Sequence, residues 1–301
     1  MTEKLQSLQI FIMYKSLNEH LRERFGSKVY KIALSSGCTC PNRDGTVGVG
    51  GCIFCAESGS GDFAQEADFS IKEQIRLAKE KVASKNKDGK YIAYFQSFTN
   101  TYGSVEMLEP KFREAINDEE VVALSIATRP DCIPEDILKM LSRLNAIKPV
   151  WVELGLQTIH EETADYIRRG YSLEVYDKAV KELHDIGVEV ITHVIIGLPG
   201  ETKENILDTV RYVVKSKAEG IKLQLLHVIE GTDLAEDYAK DTFKTLELDE
   251  YVAIIKECVE LIPPTMVIHR LTGDGNKKTL VAPLWSGDKK RVLNEINKVL
   301  R

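Results

Sequence analysis

No apolar run in this sequence reaches the length needed to cross a bilayer, which excludes a membrane-spanning helix as its organising feature. Its opening residues, MTEKLQSLQIFIMYKSL, carry acids and polar groups early and lack a small-residue cleavage site. No secretory leader is therefore expected, and a reducing, cytoplasmic setting is. Positive charge is not in excess, since 40 Lys and Arg face 46 Asp and Glu for a net charge of −6. That balance excludes a surface that is basic all over but leaves room for a local basic face. A GxGxxG fingerprint is missing, which sets aside a nicotinamide-binding enzyme. Internal repeats, low-complexity tracts and evident linkers are also missing, so one compact unit is expected. Cysteine is scarce as well, at 6 of 301 residues, too few for a disulfide scaffold.

What cysteine there is clusters. Cys38, Cys40, Cys52 and Cys55 lie in the run GCTCPNRDGTVGVGGCIFCAESGSGDF, leaving only Cys132 and Cys258 elsewhere. The intervening loop, Asn42 to Gly51, is glycine-rich and is expected to need something to organise it. Thiolates gathered on such a loop point to a metal centre. Two centres compete on the spacing. Four thiolates would close a tetrahedron around zinc, whereas three would hold a [4Fe–4S] cluster and leave one iron open. Zinc knuckles more often pair two C-x2–4-C units, and the C-x-C pair here suits them less well.

Beyond the loop, short apolar β-branched segments alternate with helical patterns. The strand candidates are Val29–Leu34, Tyr91–Phe95, Val121–Ala127, Val150–Leu156, Val188–Ile196 and Ile221–Val228. They read as parallel strands buried on both faces. Helical patterns fall at Ile71–Ala83, Pro110–Asn117, Glu135–Asn145, Leu173–Ile186 and Lys203–Ser216. Successive βα units of this kind predict an α/β fold, a partial (β/α)6 TIM-type barrel. An N-terminal helix over residues 1–28, ending at Gly26, would precede a core over 29–248. A small C-terminal appendage over 249–301 would follow, built from a helix at Asp249–Leu261, an extended piece at Met266–Leu271 and a helix at Asp288–Leu300. Function in such folds gathers at the carboxyl ends of the strands, where the cysteine loop sits.

The pattern C-x11-C-x2-C after a first strand, followed by βα units and the turn HVIIGLPGET, resembles the radical SAM superfamily. More narrowly, SKVYKIALSSGCTCPNRDGTVGVGGCIFC, YFQSFTNTY, IATRPDCIP, ELGLQT, RRGY, THVIIGLPGET and RLTGDG…LVAPLWS resemble, in order, the YhcC/YtqA-like group. That group includes MnmL-type enzymes that modify the tRNA wobble uridine, and it is related to the elongator-type radical SAM domain. The resemblance implies two cofactors, a [4Fe–4S] cluster and S-adenosylmethionine, and a low-potential electron donor such as flavodoxin or ferredoxin. It also implies metal ligands at Cys40, Cys52 and Cys55, because Cys40 opens the CPNRDG block. Cys38 with Cys52 and Cys55 is the competing set.

Cofactor contacts implied by position are Gln96, Ser97 and Thr99 after the second strand, where the superfamily's usual GGE is missing. Thr128 and Arg129 end the third strand, and Gln157 ends the fourth. Arg169 in RRGY is the candidate partner for the methionine carboxylate, since guanidinium forks suit carboxylates. The family often has histidine where Tyr171 stands. Ile195, Ile196 and Gly197 would approach adenine, although GLPG also reads simply as a strand-to-helix turn.

Candidate catalytic residues are Cys132 as a hydrogen donor, Glu153 and His193. Each has a plainer reading, as a buried thiol, a partnered buried charge or a satisfied core histidine. His227 lies near a strand end, and Cys258 belongs to an apolar helix stripe. As substrate the resemblance implies tRNA, with the wobble uridine's 5-carboxymethylaminomethyl group turned into 5-aminomethyl. Arg270, Lys277, Lys278, Lys289, Lys290 and Arg291 with Trp285 would offer phosphate capture beside a stacking ring. Rival functions are a zinc-stabilised RNA- or protein-binding module, and a radical SAM enzyme acting on a non-RNA substrate.

Overall fold

The computed structural model describes residues 14–57, 59, 67–86, 89–273, 275 and 277–300. A two-residue strand, β1 (Lys15–Ser16), precedes α1 (Leu17–Phe25), which Ser16 caps and Gly26 ends at φ +73°. The first helix is thus shorter than the sequence pattern suggests, because Ser16 takes the extended cap conformation. Residues 1–13 of that expectation lie outside the described residues.

Six βα units follow in sequence: β2 (Tyr30–Leu34), α2 (Ile71–Val82), β3 (Tyr91–Phe95), α3 (Val105–Ile116), β4 (Val121–Thr128) and α4 (Glu135–Asn145) open the series. Then come β5 (Val150–Gln157), α5 (Glu161–Tyr166), α6 (Leu173–Asp185), β6 (Glu189–Ile196), α7 (Lys203–Lys215) and β7 (Gly220–Leu225). The chain closes with β8 (Val228–Ile229), α8 (Asp233–Ala239), α9 (Leu248–Leu261), β9 (Val267–Arg270), β10 (Leu280–Ala282) and α10 (Lys289–Val299).

The main sheet has eight strands in the order β1-β9-β7-β6-β5-β4-β3-β2, every pair parallel, and curls into a partial barrel. The sheet is two strands wider than the six expected. The extended piece 266–271, expected in an appendage, is β9, and α9 is the crossover helix that carries the chain to it from β7. Four residues are too few to announce a strand, and only the pairing of Gly220 with Val267 makes the assignment plain.

The outer face of the sheet carries the main core, packed against the helices. There Phe95 meets Phe112 edge-on at 4.8 Å, with Leu141, Val152 and Tyr251 in the same cluster. The inner face is arranged in tiers, because alternate residues of every strand point inward. At the amino ends, Val29, Ile92, Ala123, Trp151 and Ile191 form an apolar plug with Leu21 of α1. One step up, Lys31, Tyr94, Ser125, Glu153, His193 and Lys222 form a polar tier. Above them Gln96, Ala127, Gly155, Ile195 and Gln224 ring the floor of a cleft at the carboxyl ends.

Candidate functional site

A cleft opens at the carboxyl ends of the strands. Cys40, Cys52 and Cys55 line it together with Gln96, Thr99, Thr128, Arg129, Gln157, Arg169 and Ile195. The loop that supplies the thiols is laced by hydrogen bonds of its own, which would add to the hold of a bound centre. The Pro41 carbonyl accepts from Val47 and Gly48 at 2.8 and 3.2 Å, and the Asn42 carbonyl accepts from Gly51 at 2.7 Å. Arg43 reaches across the loop to donate to the Cys55 carbonyl at 2.9 Å. A Cβ on Gly51, at φ +87°, would stand 3.0 Å from the Arg43 Nε, so only glycine lets that side chain pass. Asn42 Nδ2 donates to the Arg168 carbonyl at 2.5 Å and lies 3.5 Å from the Cys52 Sγ, tying the loop to the RRGY turn.

Cys38 is placed elsewhere. Gly37, at φ +78°, turns the chain between Ser36 and Cys38. The Cys38 side chain is buried toward Gly103 and is not among the cleft-lining groups. Four thiols therefore do not face one point, and among the described residues no three His, Cys, Asp or Glu side chains converge on a single-ion position. Three thiols spaced round a cavity are the donor set for three corners of a cluster. Burial, reinforced by the neighbouring Cys55, pushes the Cys52 thiol up to about 11, so metal binding there would displace a proton.

At the end of β5 a bulge between Gly155 and Gln157 turns the chain, with Gln157 at φ +69°. A Cβ on Gly155 would lie 2.8 Å from the Gln157 Nε2, so glycine makes room for that carboxamide. The Gln157 Oε1 is buried in the cleft wall with no hydrogen-bond partner among the described residues. Buried acceptors are rarely left unpaired, and this one fits a donor on a bound cofactor. Gln157→Leu is expected to raise the dissociation constant for S-adenosylmethionine by about tenfold, the worth of one buried hydrogen bond at the upper end. Equilibrium binding to cluster-loaded protein measures it, and an unchanged constant would remove Gln157 from the cofactor contacts.

Arg169 lies in the wall but is already engaged. It is 2% exposed, and its Nε donates to the Tyr171 carbonyl at 2.9 Å, Nη1 to the Thr158 carbonyl at 2.6 Å and Nη2 to Glu161 at 3.0 Å. The side chain of Glu161 is 55% exposed, so a substrate or cofactor carboxylate could reach this guanidinium only by replacing it. Arg129 donates to Asp131 and to the Arg169 carbonyl, and Tyr171 stacks between the two guanidinium groups at about 5 Å. The tyrosine that stands where the resemblance implied histidine thus packs its ring against both arginines.

Several expected residues fall outside the cleft lining. Ser97 is buried behind it and accepts from Asn100 at its carbonyl. Gly197, at φ +88°, packs against Leu246, where a Cβ would stand 3.0 Å from Leu246 Cδ1, so it is a turn residue. Cys132 is buried under the strand end, and Cys258 is in the outer core. The expected stacking ring of the basic face is not free, because Trp285 Nε1 donates to the Leu246 carbonyl at 3.0 Å and its ring packs 5.6 Å from Tyr251. Arg270 leaves that face too, since it sits in β9 in register with Lys222.

Glu153 and His193 are brought together beneath the cleft, and sequence reasoning missed what joins them. Glu153, 1% exposed, accepts from Lys31 at 2.6 Å, Ser125 at 2.6 Å and His193 Nε2 at 2.8 Å, and also from Lys222. Gln224 Nε2 meets His193 Nδ1 at 3.3 Å, and Lys222 reaches the Tyr94 hydroxyl at 3.2 Å. Burial works to raise the Glu153 carboxyl, but Lys222 and Lys31 outweigh it and hold it well below the usual range. Burial and the neighbouring cations bring Lys222 down to about 7, and burial with Lys222 brings His193 down to about 4. The signal available in the sequence was polar residues at the inward phase of otherwise apolar strands, as with Lys222 and Gln224 in GIKLQL.

Residues 37–213 match the Radical SAM superfamily, and residues 218–301 match the Radical_SAM C-terminal domain. The YtqA protein of Bacillus subtilis (strain 168) is 46% identical over 287 residues, covering 95% of this chain and 89% of that one. The tRNA uridine(34) acetyltransferase of Methanocaldococcus jannaschii is 30% identical over 182 residues, 60% of this chain and 32% of that one. Among solved structures, the archaeal Methanocaldococcus infernus Elp3 lacking its N-terminus superposes with a TM-score of 0.68 at 22% identity. That superposition covers 91% of this chain and 64% of the Elp3 chain, and shows a shared fold.

Proposed function

This chain belongs to the radical SAM superfamily, and from that premise we propose that it modifies transfer RNA at the wobble uridine, turning a 5-carboxymethylaminomethyl group into 5-aminomethyl. Its cofactors are a [4Fe–4S] cluster and S-adenosylmethionine. When bound, they supply a 5′-deoxyadenosyl radical able to take hydrogen from an unactivated carbon. Cys40, Cys52 and Cys55 are the residues that would hold the cluster. Gln157 and Gln96 would orient the nucleoside and methionine portions along the strand ends, and Ile53, in an apolar cluster with Ile195, would shield the site from water.

The observation that carries this reading is the cleft itself, where three thiols meet the carboxamides of alternate strand ends and an unpaired Gln157 Oε1. The RNA part draws on the likeness to a tRNA uridine(34) acetyltransferase. It also draws on Lys289, Lys290 and Arg291 in the first turn of α10. A helix start disfavours cations, so keeping three there is explained by a phosphate that both helix and side chains would attract. A flavodoxin or ferredoxin is proposed as the electron donor.

The test is nucleoside analysis of transfer RNA from cells lacking the gene. The wobble uridine is expected to stop at 5-carboxymethylaminomethyl, and the purified, cluster-loaded enzyme with S-adenosylmethionine and a reductant is expected to convert that RNA. An unaltered nucleoside profile, together with no conversion in vitro, would overturn the RNA assignment.

A further inference from the structure

The barrel is left open, because the edge strands of its sheet, β1 and β2, do not pair with each other. Helix α1 packs at the opening, with Leu21 in the apolar plug beside Val29. Along that seam a groove runs between α1, β9 and the start of α10. Arg22, Lys28, Arg270 and Lys289 line it, and among the described residues no Asp or Glu does. Acids outnumber bases in this chain by 46 to 40, so four cations without an acid are not what composition alone would place there.

Each cation comes from a different segment: Arg22 from the last turn of α1, Lys28 from the approach to β2, Arg270 from β9 and Lys289 from the start of α10. The dipole of α1 accounts for a cation at its carboxyl end, but not for the convergence of the other three. Arg270 and Lys289 are already engaged. Arg22 and Lys28 are exposed and have no carboxylate partner among the described residues, and Lys28 lies over the Tyr30 ring at 4.5 Å. Acids on the same elements are occupied. Glu23 pairs with Lys15 at 2.7 Å, and Asp288 caps α10 by accepting from the Arg291 N–H at 3.1 Å. Burial, with Glu19 beside it, pushes the hydroxyl of Tyr14 up, so this lining residue stays a neutral donor.

Between the cations the lining is apolar, with Leu17, Ile268 and Leu293, and Tyr14 adds an aromatic ring. Trp285, on the neighbouring face, is spent on Tyr251 and the Leu246 carbonyl. Cations around an apolar, ring-bearing groove suit a strand with phosphates along one edge and unstacked bases along the other. A duplex hides its base faces, and an acidic protein surface would use the cations but leave the ring unmatched. We propose that this groove is a track for single-stranded RNA, in which Arg22 and Lys28 take phosphates and the Tyr14 ring stacks on a base. This rests on transfer RNA being the substrate and adds the path of the strand, which continues past Lys289 to the first turn of α10.

Anaerobic binding of a fluorescein-labelled anticodon stem–loop RNA to cluster-loaded protein, followed by anisotropy over a range of salt concentrations, tests this. Neutralising both cations, Arg22→Gln with Lys28→Gln, is expected to raise the dissociation constant about tenfold at low salt. The slope of log Kd against log salt should fall by about 1.4, since each phosphate contact to a single strand contributes about 0.7. Tyr14→Leu should weaken binding about tenfold, whereas Tyr14→Phe, which keeps the ring, should stay within about twofold of the parent. The double variant is expected to bind S-adenosylmethionine and form 5′-deoxyadenosine as the parent does, because neither residue lines the cleft. RNA affinity and salt slope unchanged in that variant would refute the groove and leave the RNA reading standing. Polyglutamate bound as tightly as RNA would show a site for acidic protein and overturn the proposal. A salt-sensitive dimer lost in the variant would show a contact between copies of this chain and overturn it too. A parent that binds no RNA at low salt refutes the RNA reading and the groove together.

Discussion

Alanine at Cys52 or Cys55 is expected to abolish cluster loading and all cofactor cleavage, whereas alanine at Cys38 leaves both intact. The three lining thiols, Cys40, Cys52 and Cys55, share one cleft, while Cys38 is buried toward Gly103 and does not line it. A cluster held by three thiolates has no spare ligand, so removing one leaves an iron without protein attachment. The backbone should survive the change, because the loop is held by Pro41, Asn42 and Arg43 rather than by the sulfurs. Iron and sulfide counts after anaerobic reconstitution, with circular dichroism to confirm folding, measure the effect. Full loading of Cys40→Ala would refute this ligand set, and loss of loading in Cys38→Ala would favour the competing one.

Glu153→Gln is expected to destabilise the fold by about 3 kcal/mol, the usual consequence of leaving a buried ion pair without one partner. Glutamine keeps the size and can still meet Ser125 and His193, so the loss isolates the charge. Two ammonium groups would then share the barrel interior with no carboxylate. Chemical unfolding of the cluster-free protein measures it. Combining Glu153→Gln with Lys222→Met should recover much of the loss, because a buried pair exchanged for uncharged residues of similar volume is often tolerated. A single variant as stable as the parent would show that the tier does not depend on this carboxylate.

The same groups set a pH dependence. The folded Glu153 value is depressed, so its stabilisation is present above the ordinary carboxylate range and is lost as pH falls through the depressed value. Lys222 is depressed to about 7, so the unfolded chain binds more protons between there and the ordinary lysine value, and stability rises with pH across that window.

The barrel was legible because strands buried on both faces read as apolar runs, and the helices between them keep a 3.6 period. Its seventh full unit was not, because β9 has four residues and two of them, His269 and Arg270, are polar. The choice of Cys40 came through the resemblance. In the structure the two cysteines, only two positions apart, part ways, Cys38 buried toward Gly103 and Cys40 lining the cleft. Glu153 and His193 stood out singly as polar residues on apolar strands. Their meeting with Lys31, Lys222 and Gln224 depends on the stagger of six strands, and no local pattern encodes that stagger. The same holds for Arg169 and Trp285, whose donors are spent on carbonyl groups that only the folded chain brings near.

The most direct test of the central claim is anaerobic reconstitution, with iron and sulfide counted and 5′-deoxyadenosine assayed after adding S-adenosylmethionine and dithionite. A three-thiol radical SAM site predicts about four irons and four sulfides per chain, with 5′-deoxyadenosine accumulating. Tightly bound zinc held by four thiolates including Cys38, with no cleavage product, would contradict it.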